Sequence, residues 1–251
     1  SKNLKWETGQ SWGIGVEARL FNCWNLSMEY FDRRNKDLLF DVYLPLSSGA
    51  TTSGSAESVV TKNLGTIVNR GFEVSTDVDV YKDKDWRVNV GANLTFIKNK
   101  VTKLPEQNKD GIIDGTKYIK EGRSRYDFYI YTYEGVDSKN GYSLYKFNDG
   151  DAQGNSYRFE LDGVKYGNWE VDETGEYVAK AIEGADLQNV VVIDGVPYSY
   201  VSNYAKKEFH GSAIAPVYGS FNFGVTWKQL SLNALFTYQI GGKVIDYNYQ
   251  S

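Results

Sequence analysis

Two segments of strict apolar–polar alternation, separated by a short polar turn, constrain the fold of this chain more than any other feature. Alternate residues from Phe72 to Val80 are apolar or Thr, and the pattern resumes beyond the turn from Trp86 to Phe96. A period of two over about ten residues indicates strands with one apolar and one polar face. About ten residues exceeds the usual soluble strand and suits a tilted strand crossing a bilayer. The apolar face therefore meets either a protein core or lipid.

The same alternation returns near both ends of the chain and predicts four more strands. These lie at 11–20, 24–31, 220–227 and 230–240. Short turns join the strands in pairs, at 22–23, 82–85 and 228–229. The connections between the pairs are long, and this asymmetry is typical of outer-membrane barrels. We therefore predict an all-β fold, an antiparallel transmembrane β-barrel segment with about six spanning strands.

The region 99–215 lacks this regularity, and we expect it to form mainly extracellular loops. Within it, 125–147 is rich in tyrosine and carries a hairpin turn at 138–141. Its returning arm, 142–147, is shorter than the roughly nine residues that a crossing strand needs. The hairpin is therefore expected to project from the long-loop side of the barrel. The Ser- and Gly-rich stretch 47–61 is a further expected loop.

Three tryptophans mark the short-turn end of the predicted strands. Trp24, Trp86 and Trp227 each stand beside one of the short turns. Tryptophan collects at membrane–water interfaces, so these residues are candidates for a membrane girdle that contacts outer-membrane lipid. Alternation alone leaves a second interpretation open, because a β-sandwich core also takes tryptophan and one apolar strand face.

Composition and motifs argue against several classes of function. A net charge of −4 and a pI near 5.2 give no reason to expect nucleic-acid binding. No apolar run reaches the roughly 18 residues of a transmembrane helix. The mean hydropathy of −0.48 says little, because a barrel shows lipid only alternate residues. The lone histidine, His210, has no G-x-S-x-G motif beside it, and we predict that the chain is not an enzyme.

The tyrosine-rich hairpin supplies the candidate substrate-binding residues. Tyrosine offers a large contact area at low entropic cost, so cargo would contact the tyrosines of this hairpin. They are Tyr126, Tyr129, Tyr131 and Tyr133. The competing interpretation is that these rings pack between loops or against a partner protein.

One acidic stretch follows the spacing of a calcium-binding loop. Asp149, Asp151, Gln153, Gly154 and Glu160 occupy positions one, three, five, six and twelve, with Gln where Asp or Asn is usual. The stretch is thus a candidate Ca²⁺ site, and an ordinary acidic turn is the alternative. The sequence indicates no other cofactor.

Six short motifs in order give the chain a family resemblance. The longest, at 63–73, has the form N-x-G-x-x-x-N-x-G-x-E. The others are N-L-K-W-E at 3–7, N-K-V-x-x-L at 99–104, E-G-R-S at 121–124, G-V-D at 135–137 with Gly141, and P-V-Y-G-S-F at 216–221. In these motifs the chain resembles SusC/RagA-type TonB-dependent outer-membrane transporters.

The resemblance implies a specific architecture and function. It implies a barrel of about 22 strands with an N-terminal plug, energised by TonB, in the outer membrane of a Gram-negative bacterium of the Bacteroidetes. It also implies a SusD-like lipoprotein as lid and glycan or peptide cargo. Residues 1–251 would then be part of the barrel, without plug, TonB box and remaining strands. A secreted β-sandwich glycan-binding module and a β-rich glycosidase fragment are the alternatives.

Overall fold

The computed structural model describes residues 4–43, 59–63 and 65–246, with the backbone alone at 40–43, 59–62 and 107. In chain order the strands are β1 (Thr8–Leu20), β2 (Trp24–Lys36), β3 (Leu39–Tyr43), β4 (Val59–Asn63), β5 (Thr66–Lys82), β6 (Trp86–Lys103), β7 (Ile112–Asp114), β8 (Lys117–Ile119), β9 (Asp127–Tyr131), β10 (Tyr133–Val136), β11 (Ser143–Lys146), β12 (Tyr157–Leu161), β13 (Val164–Gly167), β14 (Lys180–Ala181), β15 (Val190–Ile193), β16 (Val196–Ser199), β17 (Lys207–Ser212), β18 (Val217–Trp227) and β19 (Leu230–Ile240). Short 3₁₀ helices lie at Glu106–Asn108, Gly184–Asn189 and Ser202–Tyr204. Among the described residues, no helix has the length and apolar character needed to cross a membrane.

The chain divides into two compact units. Within the described ranges, the first unit falls in residues 1–114, 118–127 and 211–251, and the second in 115–117 and 128–210. The first unit contains all the strands that the alternation predicts. The second contains the tyrosine-rich hairpin from Phe128 onward and the acidic stretch.

A six-stranded antiparallel sheet is the main part of the first unit. Its strand order is β1-β2-β5-β6-β18-β19. Tight turns at one end of the sheet join β1 to β2, β5 to β6 and β18 to β19. Strands β6 and β18 are direct neighbours although residues 104–216 lie between them. The structure therefore confirms the all-β, antiparallel prediction and the expected set of long strands.

The register places like residues side by side and gives the sheet two faces. Directly paired residues point to the same side of a sheet. One continuous row, for example, runs through Tyr30, Phe72, Phe96, Val217 and Ile240. We call this side the apolar face; it includes Ile14, Val16, Trp24, Met28, Val74, Val78, Val88, Val90, Ala92, Leu94, Phe221, Phe223, Val225, Leu232, Ala234 and Phe236. The polar face includes Glu17, Ser27, Glu29, Glu73, Ser75, Asp77, Asn89, Asn93, Ser220, Asn222, Asn233 and Thr237.

A bulge changes the predicted pattern at one position in β5. Asp79 pairs with Asn89 and Tyr81 with Val88, so Val80 has no direct partner in β6. A bulge inserts one residue and re-aims the side chains that follow it. Tyr81, rather than Val80, therefore takes the place beside Val88 on the apolar face.

Strands β5 and β6 extend beyond the apolar face, where they gain a small core. Ile67, Val101, Leu104 and Ile119 pack there as buried side chains. Close packing below this core requires a residue without a side chain at position 71. A Cβ on Gly71 would overlap the carbonyl oxygen of Phe96 and lie 2.6 Å from Cζ of Phe31.

Residues after β2 form a separate ladder and do not prolong that strand. Asp37 has φ 53°, which turns the chain before β3, and β3 then pairs with β4. The predicted loop 47–61 lies mostly outside the described residues. Its last residues, 59–61, belong to β4.

The second unit has its own strands and core, although its sequence predicts mainly irregular loops. One sheet has the order β10-β11-β16-β15, and another has the order β13-β12-β14. Phe147, Phe159, Ile182 and Val190 form its buried cluster. Strands β10 and β11 form a hairpin around the predicted turn at 138–141. Most of the predicted first arm, 125–133, instead belongs to β9, a strand of a different sheet. That 99–215 is mainly extracellular stays a prediction.

Candidate functional site

The apolar face of the large sheet is unusually exposed for a surface built of large hydrophobic residues. Ile14 is 68% exposed and Leu232 is 66% exposed, and Phe72, Phe96 and Phe221 are each more than 40% exposed. Soluble proteins rarely leave contiguous apolar surface of this extent uncovered. The face therefore calls for an apolar environment, which lipid provides.

The height of the apolar face matches a bilayer. Trp86 and Phe96 are ten residues apart on β6, which corresponds to roughly 33 Å along the strand. A strand tilted by about 40° would then span about 25 Å, the height of the apolar band on outer-membrane barrels.

All three predicted girdle tryptophans lie on the apolar face, next to short turns. The rings of Trp86 and Trp227 stack with centroids 5.8 Å apart, and Lys228 Nζ lies 5.4 Å from the Trp227 ring. The indole N–H of Trp24 donates a hydrogen bond to Thr76 Oγ1 at 2.7 Å. These are positions that interfacial tryptophans take, and the girdle stays a prediction.

The polar face is held by a ladder of side-chain hydrogen bonds. Arg87 Nε donates to Asp79 Oδ1 at 2.8 Å, and Asn93 Nδ2 donates to Ser220 Oγ at 2.6 Å. Leu235 interrupts this face and is 67% exposed. A face of this composition suits a water-filled or protein-filled barrel interior.

The four candidate tyrosines occupy different environments. Tyr129 is buried and packs on Phe209, with ring centroids 5.0 Å apart. Tyr126 is half-buried in the first unit. Tyr131 and Tyr133 are exposed, and each lies edge-on to Tyr145. Only this last pair presents aromatic surface that an incoming molecule can reach without rearrangement.

A polar cleft of about 370 Å³ opens beside Tyr131 in the second unit. Lys207 Nζ lies 4.8 Å from the Tyr131 ring, and Tyr157 packs edge-on against Tyr204 at 5.2 Å. Asn148 and Asp151 also line the cleft. Aromatic rings beside convergent polar groups are typical of ligand sites.

The candidate calcium loop is closed by its own hydrogen bonds. Asp151 Oδ1 accepts from the backbone N–H groups of Gln153 and Asn155, both at 2.9 Å. Asp149 accepts from Lys206 Nζ at 2.6 Å, and Glu160 lies in β12, paired with Lys165. In the described parts of the chain, no three His, Cys, Asp or Glu side chains are grouped to hold a metal ion. A cation there would rely on backbone, amide and water oxygens, and Ca²⁺ binding stays a prediction.

A matched pair of turns tests calcium binding. Titration of Ca²⁺ into the full-length protein is expected to give a binding heat that Asp151→Asn removes. Asn keeps the oxygen that caps the turn and loses the charge, so turn collapse does not explain the loss. Asp172→Asn is the control, since Asp172 caps a similar turn through Thr174 and Glu176. An unchanged heat in Asp151→Asn would exclude the site.

Two carboxylates of the second unit are held in the charged form. A hydrogen bond from the Tyr200 hydroxyl, helped by the backbone N–H of Lys139, lowers the pKa of Asp137. Burial acts to raise the pKa of Glu208, but hydrogen bonds from Lys146 and Thr132 outweigh it, so the pKa is lowered. Carboxylates with lowered pKa values are poor general acids at neutral pH. Asp137 holds the hairpin turn through Lys139, and Glu208 links β17 to β11 through Lys146.

His210 lacks the arrangement of a catalytic base. Its Nε2 lies 3.0 Å from Thr132 Oγ1, and the same hydroxyl donates to Glu208 Oε2 at 2.9 Å. In a triad the carboxylate holds the histidine ring, whereas here it holds the hydroxyl. The geometry thus gives no support to hydrolytic chemistry.

One group of basic side chains on the large sheet was not predicted from the sequence. Arg34, Arg70, Lys98 and Lys100 lie on the same side as the apolar face, beyond its last aromatic row. Alternation along the strands could have revealed them. At the even-numbered positions of β2, β5 and β6, apolar residues are followed by basic ones on the same face.

Comparison with known protein families decides between a barrel and a sandwich. Residues 1–243 match the family described as TonB dependent receptor-like, beta-barrel. The chain belongs to this family. The match covers nearly the whole chain and therefore includes both units of this TonB-dependent receptor barrel. The β-sandwich alternative is wrong, because the large sheet is part of a barrel.

Named relatives agree with this assignment. TonB-dependent receptor P3 of Formosa agariphila is 26% identical over 98% of this chain and 21% of its own length. TonB-dependent receptor SusC of Bacteroides thetaiotaomicron is 28% identical over 49% of this chain and 11% of its own length. These relatives are receptors rather than enzymes. The chain spans about a fifth of the length of the first of them.

Solved structures show the same fold. The RagAB peptide importer in its closed-closed state aligns with a TM-score of 0.65 and 24% identity, covering 96% of this chain and 22% of that one. A structure of the RagAB peptide transporter aligns with a TM-score of 0.60 and 26% identity, covering 94% and 21%. The predicted SusC/RagA-type barrel segment is therefore confirmed, and its family is an outer-membrane family.

Proposed function

We propose that the protein carrying this chain is a TonB-energised importer of the outer membrane. It takes up glycan or peptide cargo and works with a SusD-like surface lipoprotein as its lid. The observation that carries the proposal is the two-faced sheet of the first unit, whose exposed apolar face suits lipid and whose polar face suits a lumen. The named relatives and the RagAB peptide importer support the same function.

The proposal fixes the orientation of the chain in the membrane. The short turns, such as the one between Trp227 and Leu230, face the periplasm, as in other outer-membrane barrels. The long connection between β6 and β18 then lies outside the cell. The polar cleft beside Tyr131 is part of this connection.

Uptake measurements test the proposal. A strain lacking the gene should lose accumulation of members of a panel of labelled oligosaccharides and short peptides, and loss of TonB should have the same effect. The full-length protein should require detergent for extraction from the outer membrane. Recovery of the protein in the soluble fraction without detergent would contradict the assignment to an importer.

Cargo contact by the exposed tyrosines has its own test. Tyr131→Ala with Tyr133→Ala should weaken cargo binding about tenfold, because truncating an aromatic anchor in an interface commonly costs more than 1 kcal/mol. Tyr142→Ala is the matched control, since Tyr142 is also exposed but lies at the hairpin turn and packs on Tyr200. Equal affinities of both variants would assign these rings to packing.

A further inference from the structure

A set of cations lies directly beyond the apolar face, on the same side of the sheet. Two residues past Phe72 and Phe96, the outward positions are Arg70 and Lys98, which pair across β5 and β6. One row further, Lys100 pairs with Val68, which in turn pairs with Arg34 on β2. Lys36 continues the series at the end of β2. We call Arg34, Lys36, Arg70, Lys98 and Lys100 the basic belt.

The belt carries an excess of positive charge that the described residues do not neutralise. Asp32 is the single carboxylate among the paired outward residues of these rows, and it is buried. It accepts from Arg34 Nε at 2.7 Å and lies 3.4 Å from Arg70. Lys98 and Lys100 are exposed and form no ion pair with any residue that the structure describes. The chain as a whole is acidic, with a net charge of −4, so this concentration of cations is local.

An aromatic pair marks the same level as a boundary. Trp12, which pairs with Asp32 across β1 and β2, packs against Tyr30 with ring centroids 5.5 Å apart. Indole and phenol rings prefer the zone where hydrocarbon meets headgroups. The outward surface thus changes within two rows from apolar side chains, through a tryptophan and a tyrosine, to cations.

We propose that the basic belt binds the phosphate groups of a lipid in the outer leaflet of the outer membrane. Such a lipid would lay its acyl chains on the apolar face and place its phosphates at the level of Arg70, Lys98 and Lys100. Lysine reaches headgroups from an apolar surface through its flexible stem, and guanidinium groups bind phosphate through paired hydrogen bonds. The inference rests on the proposed function, because the belt lies in the outer leaflet only if the long connections face outward.

Continuity between belt and apolar face favours a lipid over a free anion. Inorganic phosphate would use the cations alone and gain nothing from the adjoining Phe72 and Phe96. An amphiphile contacts both surfaces at once, so its affinity exceeds that of its headgroup. The two sources of phosphate are therefore separable by competition.

Charge reversal at the belt provides the test. The full-length protein in a nonionic detergent is titrated with fluorescent bis-phosphorylated lipid A, and binding is measured by anisotropy. Lys98→Glu with Lys100→Glu should weaken binding about tenfold or more, because each basic residue near an anionic headgroup layer adds attraction. Lys98→Arg with Lys100→Arg should retain binding. Both lysines are exposed and unpaired within the described chain, so their replacement leaves the sheet intact.

The matched control has the same charge change at the opposite end of the sheet. Lys82 and Lys84 are exposed beside a short turn, so Lys82→Glu with Lys84→Glu should leave lipid A binding within about twofold of the wild type. Dephosphorylated lipid A should bind the wild type as weakly as the belt variant binds lipid A. Millimolar inorganic phosphate should displace little of the bound lipid.

Each opposite result overturns the inference. Equal binding by the two glutamate variants would show that the belt has no role, and full displacement by inorganic phosphate would show a free-anion site. If the protein enters the outer membrane and imports cargo while belt and control variants bind lipid A alike, this inference alone fails. If the protein is soluble without detergent, the proposed function fails first.

Discussion

Replacing Phe236 by arginine should destabilise the folded protein by about 2–4 kcal/mol, the cost of a cation at the middle of a barrel's lipid face. Phe236 lies near the middle of β19 on the apolar face and stacks on Phe221 with ring centroids 4.7 Å apart. The substitution removes this contact and places a charge on the face that we assign to lipid. The free energy of unfolding is measured by urea titration of the full-length protein in phosphatidylcholine bilayers.

The neighbouring residue provides the control for Phe236→Arg. Leu235 is at the same level of β19 but points to the polar face, and it is more exposed than Phe236. Leu235→Arg should therefore change the free energy of unfolding by less than about 1 kcal/mol, as is usual for exposed polar surfaces. Equal destabilisation by both substitutions would contradict a lipid environment for one face alone.

Gly71→Ala should destabilise the protein by about 1–3 kcal/mol, the usual cost of overpacking a closely packed site. The new methyl group would overlap the Phe96 carbonyl oxygen and lie within 2.6–2.9 Å of the Phe31 ring. Since Phe31 is buried and the carbonyl belongs to the neighbouring strand, neither can move without disturbing the β5–β6 register. The free energy of unfolding in bilayers measures the loss.

A second glycine separates overpacking from a general intolerance of alanine. Gly9 lies in β1, and the nearest atom to a Cβ built there is Asn35 Oδ1 at 3.9 Å. Gly9→Ala should leave the free energy of unfolding unchanged or raise it slightly, because alanine restricts the unfolded chain. If Gly71→Ala proves as stable as Gly9→Ala, the packing of Phe31 on Gly71 is not a constraint.

The long strands were predictable because two local signals agree along them. The alternation from Trp86 to Phe96 fixes which residues share a face, and the short turns fix which strands pair. The pairing of β6 with β18 adds a constraint of direction, since a chain that leaves on the long-loop side must return there. The alternation did not predict that Tyr81 replaces Val80 on the apolar face, because a bulge shifts the register without interrupting the apolar pattern.

The second unit was harder to predict because its strands are short. Strands such as β11 and β13 contain four residues each, too few for a period to emerge. These short strands are held together by a core that includes Phe147 and Phe159. The two residues are too far apart in sequence for a local pattern to show that they pack together. The same limit applies to the candidate sites: tyrosine spacing did not reveal that Tyr129 is buried while Tyr131 is exposed.

The adjacency of β6 and β18 makes the intervening segment an insertion with fixed ends. Val217, the first residue of β18, pairs directly with Phe96 of β6, so the ends of the segment between these two residues stay about 5 Å apart whatever lies between them. The entropy of closing such a loop grows only slowly, by about 0.6 kcal/mol for each doubling of length. Evolution can therefore lengthen, shorten or replace this segment while the wall keeps its register. New binding surfaces can then arise on an unchanged frame, and the same exchange is open to protein engineering.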